Sequence, residues 1–307
     1  MPNRLSPIMM LIACLPAQFW GQTGEMYPPY WPCNDFDADD RMGNGFSGGY
    51  HGAPPWTPDC PGDQSTVIVT AVLNSASLTA LPTAPESWIT LTGSNLADTS
   101  ISASTLTLPV QLGTTQVSIR DSAGRGQLAT LRYVSPQQIE FLMPAAVAMG
   151  YITVTVANSH GRSRAVSFPV ELISPGVFTA NSTGSGVPAA QGILLHSNGA
   201  RTPVPVFGCS TLPVSCKPVP LHSRGDRDQL VLSLYATGIR GNTDPAKVQV
   251  KIDGVLAKVL YAGRQSQYTA LDQVDVEVPN SIAGRGTVNL VLTVAGKSAN
   301  TVQIELQ

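Results

Sequence analysis

The chain has 307 residues, 43% of them hydrophobic and only 12% charged, with 18 Lys plus Arg against 20 Asp plus Glu and a formal net charge of -2. A charged fraction about half the usual one, with 53 Gly and Pro residues, excludes a coiled coil or a charge-rich disordered chain and favours short strands joined by tight turns. The basic residues form no run, so there is no footprint for nucleic acid or an anionic membrane, and no apolar stretch reaches the roughly 18 residues of a membrane-spanning helix.

Residues 1–17 read as a secretory signal peptide: Arg4 supplies the positive charge, Ile8 to Leu15 the apolar run and Ala17 the small residue at its end. Pro7 and Pro16 bracket the run and leave it too short for a stable buried helix. Within it, Leu11-Ile12-Ala13-Cys14 resembles a bacterial lipobox, so Cys14 is a candidate lipidation site, either removed with the leader or retained as a lipid anchor. The other four cysteines, Cys33, Cys60, Cys209 and Cys216, form an even set that in an exported chain favours disulfides. Proximity pairs Cys33 with Cys60 and Cys209 with Cys216, closures that would stabilise by about 3.5 and about 2.5 kcal/mol if unstrained. A zinc site is disfavoured because neither pair is spaced C-x-x-C.

Residues 18–63 hold nine of the nineteen Phe, Trp and Tyr residues, many Gly and Pro, and almost no Val, Ile or Leu. Without aliphatic residues at a strand or helix period there is no core to build, and the segment reads as extended and poorly ordered. Its aromatics Tyr27, Tyr30 and Trp31 are candidate contact residues, because flat rings bury much area at small entropic cost. Asp35, Asp37, Asp39 and Asp40 begin like a calcium loop. The sixth position is Asp40 rather than Gly and the twelfth is Phe46 rather than Glu, which favours a solvated acidic turn over a calcium site. Gly45-Phe46-Ser47-Gly48-Gly49 fits G-x-S-x-G literally, but neither the strand nor the helix of a nucleophile elbow can form around it.

From Ser65 onward the pattern becomes one of short runs with alternating polarity. Val67 to Val72, Trp88 to Thr92, Gln116 to Arg120, Leu128 to Val134, Gln138 to Met143, Tyr151 to Val156 and Ala165 to Val170 predict seven strands, the spacing of a sandwich. Ile152, Val154 and Val156 share one face and Thr153 and Thr155 the other, so one side is buried and one is wet. His160-Gly161 reads as a hairpin turn, and His51, His160, His196 and His222 lie apart in sequence with nothing to favour a catalytic triad. A second series, Leu230 to Ala236, Val248 to Ile252, Leu256 to Tyr261, Val274 to Val278, Val288 to Val294 and Thr301 to Leu306, repeats the first. Tyr133-Val134-Ser135 followed by Gln138 to Pro144 corresponds to Tyr261-Ala262-Gly263 followed by Gln273 to Pro279, Pro144 and Pro279 lying 135 residues apart, the excess over one sandwich coming from an insert at about 174–227.

The strings Leu91-Thr92-Gly93-Ser94-Asn95-Leu96, Tyr133 to Ile139, Ser174-Pro175-Gly176-Val177-Phe178, Leu234 to Gly241, Leu260 to Gly263, Leu271-Asp272-Gln273-Val274 and Ser298 to Val302 resemble the Solibacter-type uncharacterised C-terminal domain of acidobacterial exported proteins, over about residues 65–307. Each half is also similar to IPT/TIG-type immunoglobulin-like domains. The resemblance implies paired β-sandwiches on secreted or surface proteins, with no catalytic residues and no cofactor to carry over. The expected organisation is therefore all-β: a signal peptide at 1–17, a Gly/Pro/aromatic segment at 18–63, a first immunoglobulin-like sandwich at 64–173 and a second, with an N-terminal insert, at 174–307. The expected function is a non-enzymatic secreted or cell-surface module for adhesion, display or protein contact. The alternative is a carbohydrate-binding accessory protein that uses the N-terminal aromatics. Its partner is then a surface protein or polysaccharide, with neither nucleic acid nor an integral membrane span involved.

Overall fold

In the computed structural model, residues 66–80, 82–105, 107–211, 214–222 and 228–307 are described. The signal peptide, the Tyr27, Tyr30 and Trp31 aromatics, the Asp35–Asp40 cluster, Ser47, and Cys14, Cys33 and Cys60 all lie outside them. The fold is all-β and sandwich-type, and among the described residues the helical content is confined to two 3-10 turns, Pro245–Lys247 and Asn280–Ile282. No helix among the described residues is long and apolar enough to cross a membrane.

The first half builds two sheets. One runs Ile68–Asn74, Trp88–Ser94, Gln138–Leu142, Thr130–Val134, Ile101–Ser102, and the other runs Gly161–Arg162, Gly150–Asn158, Thr115–Arg120, Gln111–Leu112. Val166–Val170 adds to Gly150–Asn158, and Gly126–Leu128 adds to Thr115–Arg120. Period-2 alternation sends Ile89, Leu91, Val117, Ile119, Leu131, Ile139, Phe141, Ile152, Val154 and Val156 into one core between the sheets. The continuous strand expected over Leu128 to Val134 is instead two. Gly126–Leu128 belongs to one sheet and Thr130–Val134 to the other, and the chain crosses between them at fully buried Ala129, whose amide donates to the Val117 carbonyl at 2.9 Å. A small side chain lets the backbone pass through the core edge without displacing its neighbours.

The second half follows one hydrogen-bonded path: Arg201–Val204, Ala190–Leu195, Gln229–Thr237, Asp272–Glu277, Val255–Arg264, Val248–Ile252, Gly286–Val294, Lys297–Ser298. The long Val255–Arg264 strand changes partner along its length, pairing with Val248–Ile252 at its start and with Asp272–Glu277 thereafter, so the path folds over its own core of Leu232, Leu234, Val250, Val274, Val276, Leu290, Leu292, Val302 and Ile304. The sequence repeat is visible as repeated topology. Gln138–Leu142 lies between Trp88–Ser94 and Thr130–Val134, just as Asp272–Glu277 lies between Gln229–Thr237 and Val255–Arg264. The register shifts just before Tyr133 in one half and just before Tyr261 in the other. A bulge there turns the strand more sharply, at the same point of each half.

A third cluster joins the halves: Ala76 and Trp88 from the first, and Phe178, Ala189, Tyr235, Ala270 and Leu271 from the second. Around it the Trp88 amide donates to the Thr237 hydroxyl at 3.0 Å and the Asn74 amide side chain donates to the Ser174 carbonyl at 3.1 Å. The insert also carries a separate hairpin, Phe207–Thr211 with Val214–Pro218, in which Cys209 and Cys216 stand directly opposite and are joined by a disulfide.

Candidate functional site

The alternation that buries Ile152, Val154 and Val156 turns Tyr151, Thr153 and Thr155 outward. On the neighbouring strand Ser118 stands opposite Thr155 and Arg120 opposite Thr153. Beyond it Leu128 stands opposite Ser118. On the other side of the central strand, the tight hairpin through Ser159 and His160 brings Arg162 opposite Ala157. Ser118, Arg120, Leu128, Thr153, Thr155 and Arg162, with Gln127 and Ala165, line an open groove of about 720 Å³ on the outer face of the sheet. Tyr151, 74% exposed, stands two residues from Thr153 on that same face.

The charge of this groove is one-sided: Arg120 and Arg162 line it and no carboxylate does. Five other arginines are paired: Arg125 with Asp121, Arg132 with Glu140, Arg240 with Asp272, Arg264 with Glu86 and Arg285 with Asp253. Neither Arg120 nor Arg162 has a carboxylate partner among the described residues. Sequence reasoning identified the wet face through Thr153 and Thr155 but missed the two arginines. The available signal was Arg120 at the outward phase of its strand; the register that places it beside Thr153 is not readable from a single strand.

A smaller cavity, about 310 Å³, opens at the junction beside Glu86, Leu142, Arg240, Arg264, Gln265 and Tyr268. Its charges are already committed to one another. Asp272, without exposed surface, accepts from the Ile239 amide at 3.0 Å and from Arg240 at 2.8 Å, while Arg240 lies 3.5 Å from Glu86 and Arg264 donates to Glu86 at 2.6 Å. Burial pushes the Asp272 carboxyl above its ordinary range, and the Arg240 guanidinium opposes that shift. This network ties the halves together; its ionic groups satisfy one another rather than an outside ligand.

Among the described residues His160 and His196 each meet a different carboxylate. His160 lies 3.0 Å from Asp98 through Nε2, and His196 lies 3.0 Å from Asp228 through Nδ1 and 2.9 Å from the Thr202 hydroxyl through Nε2. The Ser159 hydroxyl donates to Asp98, as does that of Thr114 at 2.6 Å, so this serine bonds the carboxylate instead of an imidazole, which is not the order of a nucleophilic relay. The Ser159 and Thr114 hydrogen bonds, with His160 contributing less, hold the Asp98 carboxyl below its usual range. Among the described residues no group of three or more His, Cys, Asp or Glu side chains is placed to hold a metal ion.

Neither a protein-family model nor a curated protein matches the chain. Among solved structures, SGBP-B from a complex xyloglucan utilization locus in Bacteroides uniformis is similar at 11% identity with a TM-score of 0.22, over 78% of this chain and 48% of that one. The chain thus spans about half the length of that protein, and a likeness so distant carries no argument about what this chain binds.

Proposed function

We propose that the protein is a non-enzymatic, exported binding module whose outer groove takes a carbohydrate chain. The observation that carries this is the groove itself: an open channel lined by the hydroxyls of Ser118, Thr153 and Thr155 and the amide of Gln127, with the exposed ring of Tyr151 on the same face. Sugars present alternating hydroxyl edges and flat apolar faces, which such a set meets with hydrogen bonds and ring stacking. This moves the contact from Tyr27, Tyr30 and Trp31 to residues of the first sandwich. The test is affinity electrophoresis of the full chain through gels containing plant and bacterial polysaccharides. Retardation by at least one polymer is expected, weakened about five-fold or more by Tyr151→Ala, and migration unchanged in every gel overturns the proposal.

Adhesion or protein contact is the second reading, favoured by Leu256, Leu260 and Tyr261, all exposed on the Val255–Arg264 strand. Export belongs to the same proposal and is supported by the Cys209–Cys216 disulfide, a bond that persists in oxidising compartments. Mass spectrometry of the mature amino terminus distinguishes cleavage near Ala17 from lipidation at Cys14. Membership of the Solibacter-type family is proposed on the strings quoted above.

A further inference from the structure

Resting on the carbohydrate reading, we infer that the groove selects an anionic polysaccharide, one bearing uronic acid carboxylates, through Arg120 and Arg162. Five other described arginines are matched to carboxylates, including the nearly buried Arg240. Within one groove the protein leaves two without such a partner among the described residues, and lines that groove with no acid, although the chain as a whole carries a net charge of -2. A guanidinium presents a planar fork of donors that matches a carboxylate in two parallel hydrogen bonds, stronger and more directional than those between neutral groups.

Placement suits a polymer rather than a small anion. Arg120 stands opposite Thr153 on one side of the central strand, and Arg162 stands opposite Ala157 on the other. By ordinary strand rise and spacing their Cα atoms are about 16 Å apart along a diagonal. Between them run Thr155, Thr153 and Ser118, so two separated carboxylates on one chain can each meet an arginine while intervening hydroxyls meet neutral ones. A nucleic acid also offers repeated anions, but stable binding needs many neutralised phosphates, and this groove supplies two cations in a chain whose acids outnumber its bases, 20 to 18. The acidic polysaccharide is therefore the better match.

The experiment measures binding of the full chain, by calorimetry and affinity electrophoresis, to polygalacturonate, alginate and hyaluronan, to the methyl esters of these polymers, and to single-stranded DNA. The ester keeps the same sugar backbone and removes the charge. At least one acid polymer is expected to bind about ten-fold tighter than its ester, with affinity falling as salt rises. Arg120→Gln and Arg162→Gln should each cost about ten-fold toward the acid form and leave the ester unchanged. Arg201→Gln, an exposed arginine on a different strand, should change neither. Both groove arginines are exposed, and an unchanged melting temperature verifies that the variants fold. Equal affinity for acid and ester, with no effect of either substitution, overturns the inference and leaves the carbohydrate reading standing. Binding to no polysaccharide overturns both. Binding to DNA as tight as to the best acid polymer also overturns the inference, because it would show a ligand chosen by charge alone.

Discussion

Asp272 and Arg240 form the kind of pair that is costly to break. Their side chains are 0% and 6% exposed, and the Asp272 carboxyl accepts from Arg240 and from the Ile239 amide. Because burial raises the Asp272 carboxyl, its ionised form is disfavoured by folding, and that penalty grows as pH rises from the unfolded value near 3.9 to the raised folded value, above which it is complete. Replacing Arg240 by Met removes the main opposing charge. Urea denaturation near neutral pH should show a loss of about 3–5 kcal/mol, and the loss should shrink as pH is lowered toward the unfolded value near 3.9, where the carboxyl is increasingly protonated in both states. A variant equally destabilised at both pH values would show that Asp272 is not the group left unpaired. Asp121 behaves in the opposite sense. The Ala148 amide, the Arg125 amide and the Arg125 guanidinium bond its oxygens at 3.1, 2.9 and 3.0 Å and hold its pKa below the ordinary range, with the Ala148 bond the largest cause. Its contribution is complete above the unfolded value near 3.9 and is lost as pH falls through the lower folded value. Asp121→Asn removes that titration, so melting temperature followed by circular dichroism should fall less steeply below about pH 4 than in the unaltered protein.

At the scale of elements, strand phase is the part of the fold that a single sequence displays. Tyr151 to Val156 and Val274 to Val278 alternate in sequence and alternate in burial, because each strand needs only its own two faces to declare itself. The break at Ala129 was not legible for the same reason: Ala129 and Leu131 keep the inward phase across the change of sheet, so the pattern reads as uninterrupted. Trp88 to Leu91 hides a different fact. All four are buried, since the junction covers the face that alternation would leave wet. Four of the strings that carried the family resemblance, around Ser174, Gly238, Asp272 and Asn300, meet one another within the second half. The Ser174 amide donates to the Gly238 carbonyl at 3.0 Å, the Ile239 amide reaches Asp272, and the Asn300 side chain accepts from the Val177 amide at 2.8 Å and donates back to its carbonyl at 2.9 Å. Gly238 has φ +77°, and a Cβ there would lie 2.0 Å from the Ser174 carbonyl oxygen. Gly238→Ala should therefore cost about 2 kcal/mol or more in chemical denaturation, from left-handed strain plus a backbone displacement. A loss below half that value would mean the turn relaxes freely and does not set the approach of the two segments.

For the whole molecule the question is whether two cores behave as one. Each half has a core of its own, but between them Trp88, Phe178 and Tyr235 are nearly fully buried, the Arg132 guanidinium sits 4.4 Å over the Trp88 ring, and Glu86 crosses to Arg240 and Arg264. Apolar burial of that kind couples the halves, because unfolding either exposes the rings of both. Calorimetry of the unaltered protein should give a single transition whose calorimetric and van't Hoff enthalpies agree. Trp88→Ala removes the central ring and the seat of Arg132, at a cost of about 3–5 kcal/mol. That cost falls on the coupling as well as on the first core, so the endotherm should split, the first half melting earlier and the second near its original temperature. The groove lies on the other sheet of the first half, built on Gly150–Asn158 and Thr115–Arg120, so polysaccharide binding below the first transition should survive the substitution. A single endotherm merely displaced downward would mean that the coupling does not run through Trp88 and that the ion pairs of Glu86 suffice to hold the two cores together.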